Sequence, residues 1–365
     1  LRTKYIAINA AVLVKPDKTG VEWYAWQLLK YLAREWKDTD PMVVLFAPGN
    51  GQKIPDFKKK NWRIKHLPGK YLWTQHHLRK FLKRYPPALL LSPSYVSPRF
   101  LPKSIPAVNV VHGLEGEHYP EFRSIKDTVT DYLINIPALR KSAAIIAVSK
   151  HTKTDLNYFY GIPPDLTRVV LSGRGTIDDD FAHTDEKKNK QNIQFFLLAG
   201  PGDRKNLPLA LEIFFRLREL SPKEITLAIA GTIKDKKLRE LIKTDRNISY
   251  LGYVDEKTKI ELLESSHFLL YSSLYEGFGF PVLEAQTCGA IPIVLEGSGL
   301  KEVGGNAIVE FNPLSKRKSL RKIVELIKEP EKYRQKQKIG LKNSQRFSWQ
   351  SSARETKKIL LQKII

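Results

Sequence analysis

Short apolar runs rich in β-branched residues recur along this chain with helical patterns between them, and that alternation admits few folds. A strand followed by a helix must return to the same sheet, so the pattern requires parallel strands with helices packed on their faces. Candidate strands fall at 5–9, 42–46, 88–92, 107–112, 144–148 and 167–171, with helical apolar spacing over 22–36 and a helix beginning at 152. A second series follows at 194–199, 225–230, 248–251, 268–272, 291–294 and 307–311. Between the two, residues 176–192 turn acidic and then Lys-rich with almost no apolar side chains, the composition of an exposed connection. A length of 365 residues exceeds what one compact α/β core usually fills. The expected organisation is two Rossmann-like domains, 1–175 and 193–346, joined by a 176–192 linker and followed by a basic helical tail. No readable sequence repeat relates the two halves.

Two loops of the second series carry chemistry. In Tyr275-Glu276-Gly277-Phe278-Gly279-Phe280-Pro281-Val282-Leu283-Glu284, the glycines allow a tight turn, and Pro281 suits a first helical turn because its missing N–H costs nothing there. A helix N-terminus at this point would aim backbone amides and the positive end of its dipole outward, a seat for phosphate oxygens. Glu284, one turn on, can accept two hydrogen bonds from a vicinal diol such as ribose, and Glu276 can reach a sugar hydroxyl. The other loop, Gly200-Pro201-Gly202-Asp203-Arg204-Lys205-Asn206, precedes a helix with Asn206 as N-cap and Pro208 in its first turn. Both loops leave the C-terminal ends of parallel strands, where open α/β sheets bind ligands. Arg204 can grip a phosphate bidentately and Lys205 adds a second positive charge. Cations at a helix start oppose the dipole, so an anion between them is the expected compensation.

These loops, with Cys288-Gly289-Ala290-Ile291-Pro292 and the stretch 300–307, resemble the donor domain of family-four retaining glycosyltransferases (glycosyl transferases group 1) of the GT-B fold. The likeness spans nearly the whole chain and includes Gly20, His112-Gly113, Ala147-Val148-Ser149-Lys150, Gly173 and Phe347-Ser348-Trp349. It implies an α/β GT-B architecture, two Rossmann-like parallel-sheet domains facing each other across a cleft, with 347–365 crossing back to the N-terminal domain. It further implies that Arg204 and Lys205 bind the donor diphosphate and stabilise the leaving group, and that Glu284 holds the ribose. Glu276 and the backbone of Gly277, Phe278, Gly279 and Phe280 would hold the transferred sugar and its phosphates. His112 would face the sugar from the N-terminal domain, and Gly20 would let its loop approach the diphosphate. The sequence departs from the common pattern at Gly113, where many relatives have Asp, and in a first-loop Gly-rich run reduced to Thr19-Gly20-Val21-Glu22. The activity implied is transfer of a glucose- or mannose-type hexose from a nucleotide diphosphate sugar to a saccharide or lipid-linked acceptor, with retention, in cell-envelope glycan synthesis. No Asp-x-Asp stands in a donor-loop context, so the two cations are expected to act in place of a metal ion, with no cofactor beyond the donor itself. A nucleotide-sugar epimerase or a sugar phosphorylase of the same fold would need an acid–base constellation or a cofactor lysine context that is not identifiable here.

The net charge of +23 is uneven, concentrated in 58–84 and 316–363. Such charge attracts nucleic acid, anionic lipid or phosphorylated substrates without choosing among them. No nucleic-acid-binding module is recognisable, and nucleic acid is not an expected partner. Segment 58–84 mixes cations with Trp62, Tyr71, Trp73 and Phe81, so as an amphipathic helix it would suit an anionic membrane surface and a lipid-linked acceptor. The competing reading places Trp73, Leu78, Phe81 and Leu82 in a core, with Lys and Arg facing water. Cys288 alone forms no internal disulfide, and no apolar run approaches the roughly 20 residues of a spanning helix. The expected location is cytoplasmic, with the inner face of the cell membrane as a candidate peripheral site.

Overall fold

The computed structural model describes residues 5–15, 18–49, 54–69, 71–183, 192–200 and 202–364. Lys70 of the basic segment, residues 184–191 of the expected linker and Pro201 of the first donor loop lie outside the described residues. The chain divides into two compact units, Leu1–Gly173 with Ser348–Ile365, and Arg174–Phe347.

The described residues of the first unit form seven strands: β1 (Tyr5–Asn9), β2 (Met42–Pro48), β3 (Trp62–Leu67), β4 (Leu89–Ser92), β5 (Ala107–Val111), β6 (Ala144–Ala147) and β7 (Thr167–Val169). They pair in parallel in the order β3-β2-β1-β4-β5-β6-β7. The order reverses between β1 and β4, so the loops after these two strands diverge and leave a crevice at their C-terminal ends. Ile6, Ala7 and Ile8 of β1 are fully buried, as a central strand covered on both faces requires. The helix Gly20–Glu35 opens on a capping box in which the Thr19 side chain bonds the Glu22 backbone and the Glu22 carboxylate accepts from the Thr19 N–H at 3.0 Å.

Strand β3 is absent from the sequence expectation. Its WRIKHL pattern buries only Trp62 and Leu67, and an edge strand with charged residues facing water carries no apolar run to announce it. The basic segment is accordingly not one amphipathic helix: β3 is followed by a π-helical turn at Thr74–Leu78 and a short helix at Arg79–Arg84. Trp73, Leu78 and Leu82 enter the core under the sheet and Phe81 packs against it, while Tyr71 and Leu72 are exposed.

The helix Trp349–Gln362 belongs to the first unit, as the resemblance implied. It lies along Gly20–Glu35, with Trp349 fully buried against Tyr24 at 5.5 Å. Arg354 pairs with Glu35 at 3.0 Å, and Lys357 with Asp40 at 2.5 Å.

The described residues of the second unit form six parallel strands: β8 (Ile193–Leu198), β9 (Ile225–Ala230), β10 (Ile248–Gly252), β11 (Phe268–Tyr271), β12 (Ile291–Leu295) and β13 (Val309–Phe311). Their order, β10-β9-β8-β11-β12-β13, repeats the winding of the first sheet, with the reversal now between β8 and β11. Phe195 stacks on Phe268 at 5.0 Å across these two strands. The division between units falls after Gly173, and Ile177 is already packed in the second unit's core. The second unit thus begins before the expected 176–192 linker, whose polar composition hides two apolar anchors, Ile177 and Phe181, that pack in its core.

Candidate functional site

Strand β8 ends at Leu198, and the chain turns through Gly200 and Gly202 into a single 3-10 turn, Asp203–Lys205. Asn206 then takes a left-handed conformation, φ 47°, before the helix Leu207–Leu220 begins with Pro208 in its first turn. Asn206 holds the N-cap position but makes no side-chain cap bond; its conformation serves to reverse the chain so that the preceding cations point back over the sheet. The backbone of this turn is tied to the neighbouring loop, since the Leu274 N–H donates to the Arg204 carbonyl at 3.0 Å. The Ser272 hydroxyl bonds the Lys205 and Asn206 carbonyls at 2.9 Å each.

The two loops flanking the strand-order reversal thus converge. Arg204 Nη1 lies 2.7 Å and Lys205 Nζ 2.9 Å from one oxygen, Glu276 Oε1. The Tyr271 and Ser273 hydroxyls each donate to that oxygen at 2.7 Å, and Lys205 Nζ also sits over the Tyr271 ring, 4.4 Å from its centroid. Burial opposes charge on Glu276, yet the adjacent Lys205 and Arg204 outweigh it and hold the carboxyl down at about 2. Tyr271 is pushed well above its ordinary range by burial and by the Glu276 charge. A carboxylate held by two cations and two hydroxyls is an internal counter-ion, and the same grouping of donors matches the oxygens of a diphosphate. Tyr271 and Ser273 were not singled out in the sequence. Their signal was present but weak: polar residues at the C-terminal end of a strand one turn before a glycine loop.

Beyond Glu276 the loop enters the helix Phe280–Thr287. Gly279 has φ 95°, and a Cβ there would stand 2.1 Å from Leu300 Cδ2, so glycine is required by both backbone and space. Phe278 is buried against Phe280 and Phe347, with centroids at 5.5 and 5.9 Å. Glu284 is 1% exposed. Its Oε1 accepts from the Thr176 N–H and hydroxyl at 3.0 Å each, and its Oε2 lies 2.9 Å from Lys259 Nζ. Lys259 is itself buried; burial disfavours its charge, and Glu284 and Glu256 together raise its pKa in spite of that. Gly175 allows this approach, because a Cβ there would fall 2.3 Å from Glu284 Oε1. Glu284 is thus engaged separately from the cation pair. Lys259 could not be read from sequence, since a lysine on the amphipathic helix Glu256–Ser265 looks like any solvated one.

In the first unit, His112 follows β5, and Gly113 takes φ 147°, a conformation open to glycine but not to the Asp common at that position in the family it resembles. The His112 ring packs edge-on against Tyr24, with centroids 4.5 Å apart, and Nε2 lies 2.8 Å from the Pro93 carbonyl. A carbonyl only accepts, so Nε2 carries the hydrogen and Nδ1 is the acceptor of the neutral ring. Burial pushes the imidazole down to about 4, against the smaller opposing effects of Pro93 and Glu22. Gly20 is the exposed first residue of the helix that carries Tyr24, so Gly20 and His112 are linked through one helix.

A chain with two doubly wound parallel sheets, and a pair of cations converging at the switch point of the second, has the makings of a GT-B glycosyltransferase. A sequence profile described as Glycosyl transferases group 1 matches residues 178–344, and one described as Glycosyltransferase Family 4 matches residues 18–174. The chain belongs to this family of glycosyltransferases. The O-antigen chain mannosyltransferase B of Escherichia coli is 24% identical over 96% of this chain and 97% of its own length. The serotype-specific mannosyltransferase WbdA of Escherichia coli is 24% identical over 68% of this chain but only 31% of its own length, so the chain spans about a third of that relative. Among solved structures, Anabaena HepE in complex with UDP and glucose superposes with a TM-score of 0.67 over 99% of this chain and 100% of that one, at 16% identity. WaaG, a glycosyltransferase involved in lipopolysaccharide biosynthesis, gives 0.69 over 97% and 99%, at 13% identity. Likeness at these identities establishes the shared fold.

Proposed function

We propose that this glycosyltransferase moves a mannose- or glucose-type hexose from a nucleoside diphosphate sugar to a saccharide or lipid-linked acceptor, with retention of configuration, in the assembly of a cell-envelope glycan. The convergence of Arg204 and Lys205 on one carboxylate oxygen carries this reading. Two fixed positive charges at a switch point suit the developing charge on a departing diphosphate, where such groups lower the barrier most. In the proposed step the bond from C1 to the phosphate oxygen breaks while the acceptor oxygen bonds C1 on the same face. The acceptor proton passes to the departing phosphate oxygen. Arg204 and Lys205 neutralise that oxygen's charge without a metal ion at the reacting centre, and Glu276, displaced from them by the diphosphate, is free to take a sugar hydroxyl. Glu284 takes the ribose diol, sharing its lone pairs with Thr176 and Lys259. Gly277, Phe278, Gly279 and Phe280 present backbone to the phosphates. His112, neutral, is the first unit's candidate contact to the sugar, and Gly20 its candidate approach to the diphosphate. The loops after β9 and β10, which carry Gly231 and the exposed Tyr253, are the candidate seat of the nucleoside base. The mannosyl name of both curated relatives favours mannose. Association with an anionic membrane is a further part of the proposal, and the exposed Tyr71 and Leu72 within the basic segment support it.

The test is transfer from a panel of UDP-, GDP- and dTDP-sugars, with thermal stabilisation by each as a binding readout. Arg204→Ala combined with Lys205→Ala should reduce turnover by at least about 100-fold, the scale of losing a group that stabilises charge in the transition state. A double variant that folds and turns over normally would sink the reading.

A further inference from the structure

We propose that His118, His151 and Asp155 of the first unit form a binding site for a divalent transition-metal ion of the zinc class, which clips the segment after β5 to the helix Lys150–Tyr160. His151 and Asp155 stand four residues apart on that helix and share one face. His118 comes from the other side, at the end of the short helix Glu115–His118. The Nε2 atoms of His118 and His151 lie 3.1 and 3.7 Å from a single oxygen, Asp155 Oδ2. The three ligand atoms all lie within 4.8 Å of one another. Zinc bonds of about 2.0–2.1 Å in tetrahedral geometry set donor atoms about 3.3 Å apart. The observed separations bracket that value, so an ion between the three needs only small side-chain adjustments.

The chemistry of the set agrees with the geometry. Two imidazoles and one carboxylate suit zinc, and nickel or copper in turn, better than calcium or magnesium, which prefer all-oxygen shells. Asp155 is buried, whereas the two imidazoles are 31% and 30% exposed. The surroundings already hold the ligands in place. The His118 ring stacks on His151 with centroids 5.9 Å apart and meets the edge of Phe159 at 4.9 Å. The preceding residue, Glu117, bonds Arg123 at 2.8 Å and the Tyr160 hydroxyl at 3.0 Å. Tyr160 lies on the same helix as His151 and Asp155, so the two elements are joined beside the ligands without the metal. A metal bond added there closes a loop of 33 residues from His118 to His151. His112 lies six residues before His118, just outside that loop. The inference does not depend on the transferase reading, because its predicted effects are binding and stability.

Zinc chloride titrated by calorimetry into the chelator-treated full chain should bind one ion per chain. His118→Ala and His151→Ala should each weaken that binding by about 10- to 100-fold or more. His76→Ala, which removes an imidazole outside the cluster, should leave it unchanged. Cobalt(II) in place of zinc should give visible absorption bands of a low-coordinate site that both cluster variants lose. Zinc should raise the melting temperature of the wild type and not of the variants. Absence of saturable zinc binding, or binding that survives both substitutions, would overturn the proposal and leave only a His–Asp ion pair. Both variants remove partly exposed rings, and their melting temperatures in chelator, matching the wild type's, establish that each is folded.

Discussion

Glu276 is where one atom holds most of the site together. In the folded chain its carboxyl titrates at about 2, because Lys205 and Arg204 overcome the cost of burial. In the unfolded chain a glutamate titrates at about 4.3. The folded pKa is the lower one, so the stabilisation is complete above the unfolded value and is lost as pH falls towards the folded value. At about 1.4 kcal/mol per unit, the difference is roughly 3 kcal/mol. Denaturant unfolding of wild type and Glu276→Gln should therefore show a gap of that order at pH 7 that shrinks steadily between about pH 4.3 and pH 2. A gap independent of pH would mean that the carboxylate's charge is not what matters. The residue types at this site were legible in the sequence, since Arg204, Lys205 and Glu276 each stand beside glycines after a strand. Their convergence on one oxygen was not, because 71 residues separate Lys205 from Glu276 and only the strand order joins their loops.

The helix Phe280–Thr287 owes its start to Gly279. The left-handed φ and the Leu300 methyl leave no room for a side chain there, so Gly279→Ala must move either the helix or Leu300. Strain of this kind costs about 1–3 kcal/mol, and thermal or chemical denaturation should read a loss of that size. An unchanged midpoint would show that the turn can be rebuilt at no cost. The strand–turn–helix pattern itself was readable, because its apolar lead-in, glycines and proline each carry a local signal. The edge strand β3 carried none. Four of its six residues are exposed, and its register is set by pairing with β2 rather than by its own composition. The π-helical turn at Thr74–Leu78 is similar, since it arises where Trp73 and Leu78 must both reach the core.

At the scale of the whole molecule, the first unit is discontinuous in sequence: its last helix arrives after the entire second unit. Trp349, fully buried, braces Tyr24, which in turn braces His112. Gly173 clears space for it, since a Cβ there would stand 2.3 Å from the indole. Removing a buried tryptophan side chain costs about 3–5 kcal/mol, and ending the chain after Phe347 removes the ion pairs to Glu35 and Asp40 as well. Hydrogen exchange on that truncated chain should show amides of β1, β2 and β4–β6 losing protection, while those of β8, β9, β11 and β12 keep theirs. Equal loss in both sheets would mean that the units fold as one cooperative block.

The alternation of strand and helix, the two-fold division and the donor-loop residues were determined by the sequence alone, because period, glycine placement and capping act over a few neighbouring residues. The tertiary structure decided which charges meet, that a buried lysine partners Glu284, that His112 is kept neutral, and that three residues from two elements gather as potential metal ligands. Those outcomes depend on strand order and on desolvation. Both are properties of groups brought together from distant parts of the chain, and no local stretch of sequence contains them.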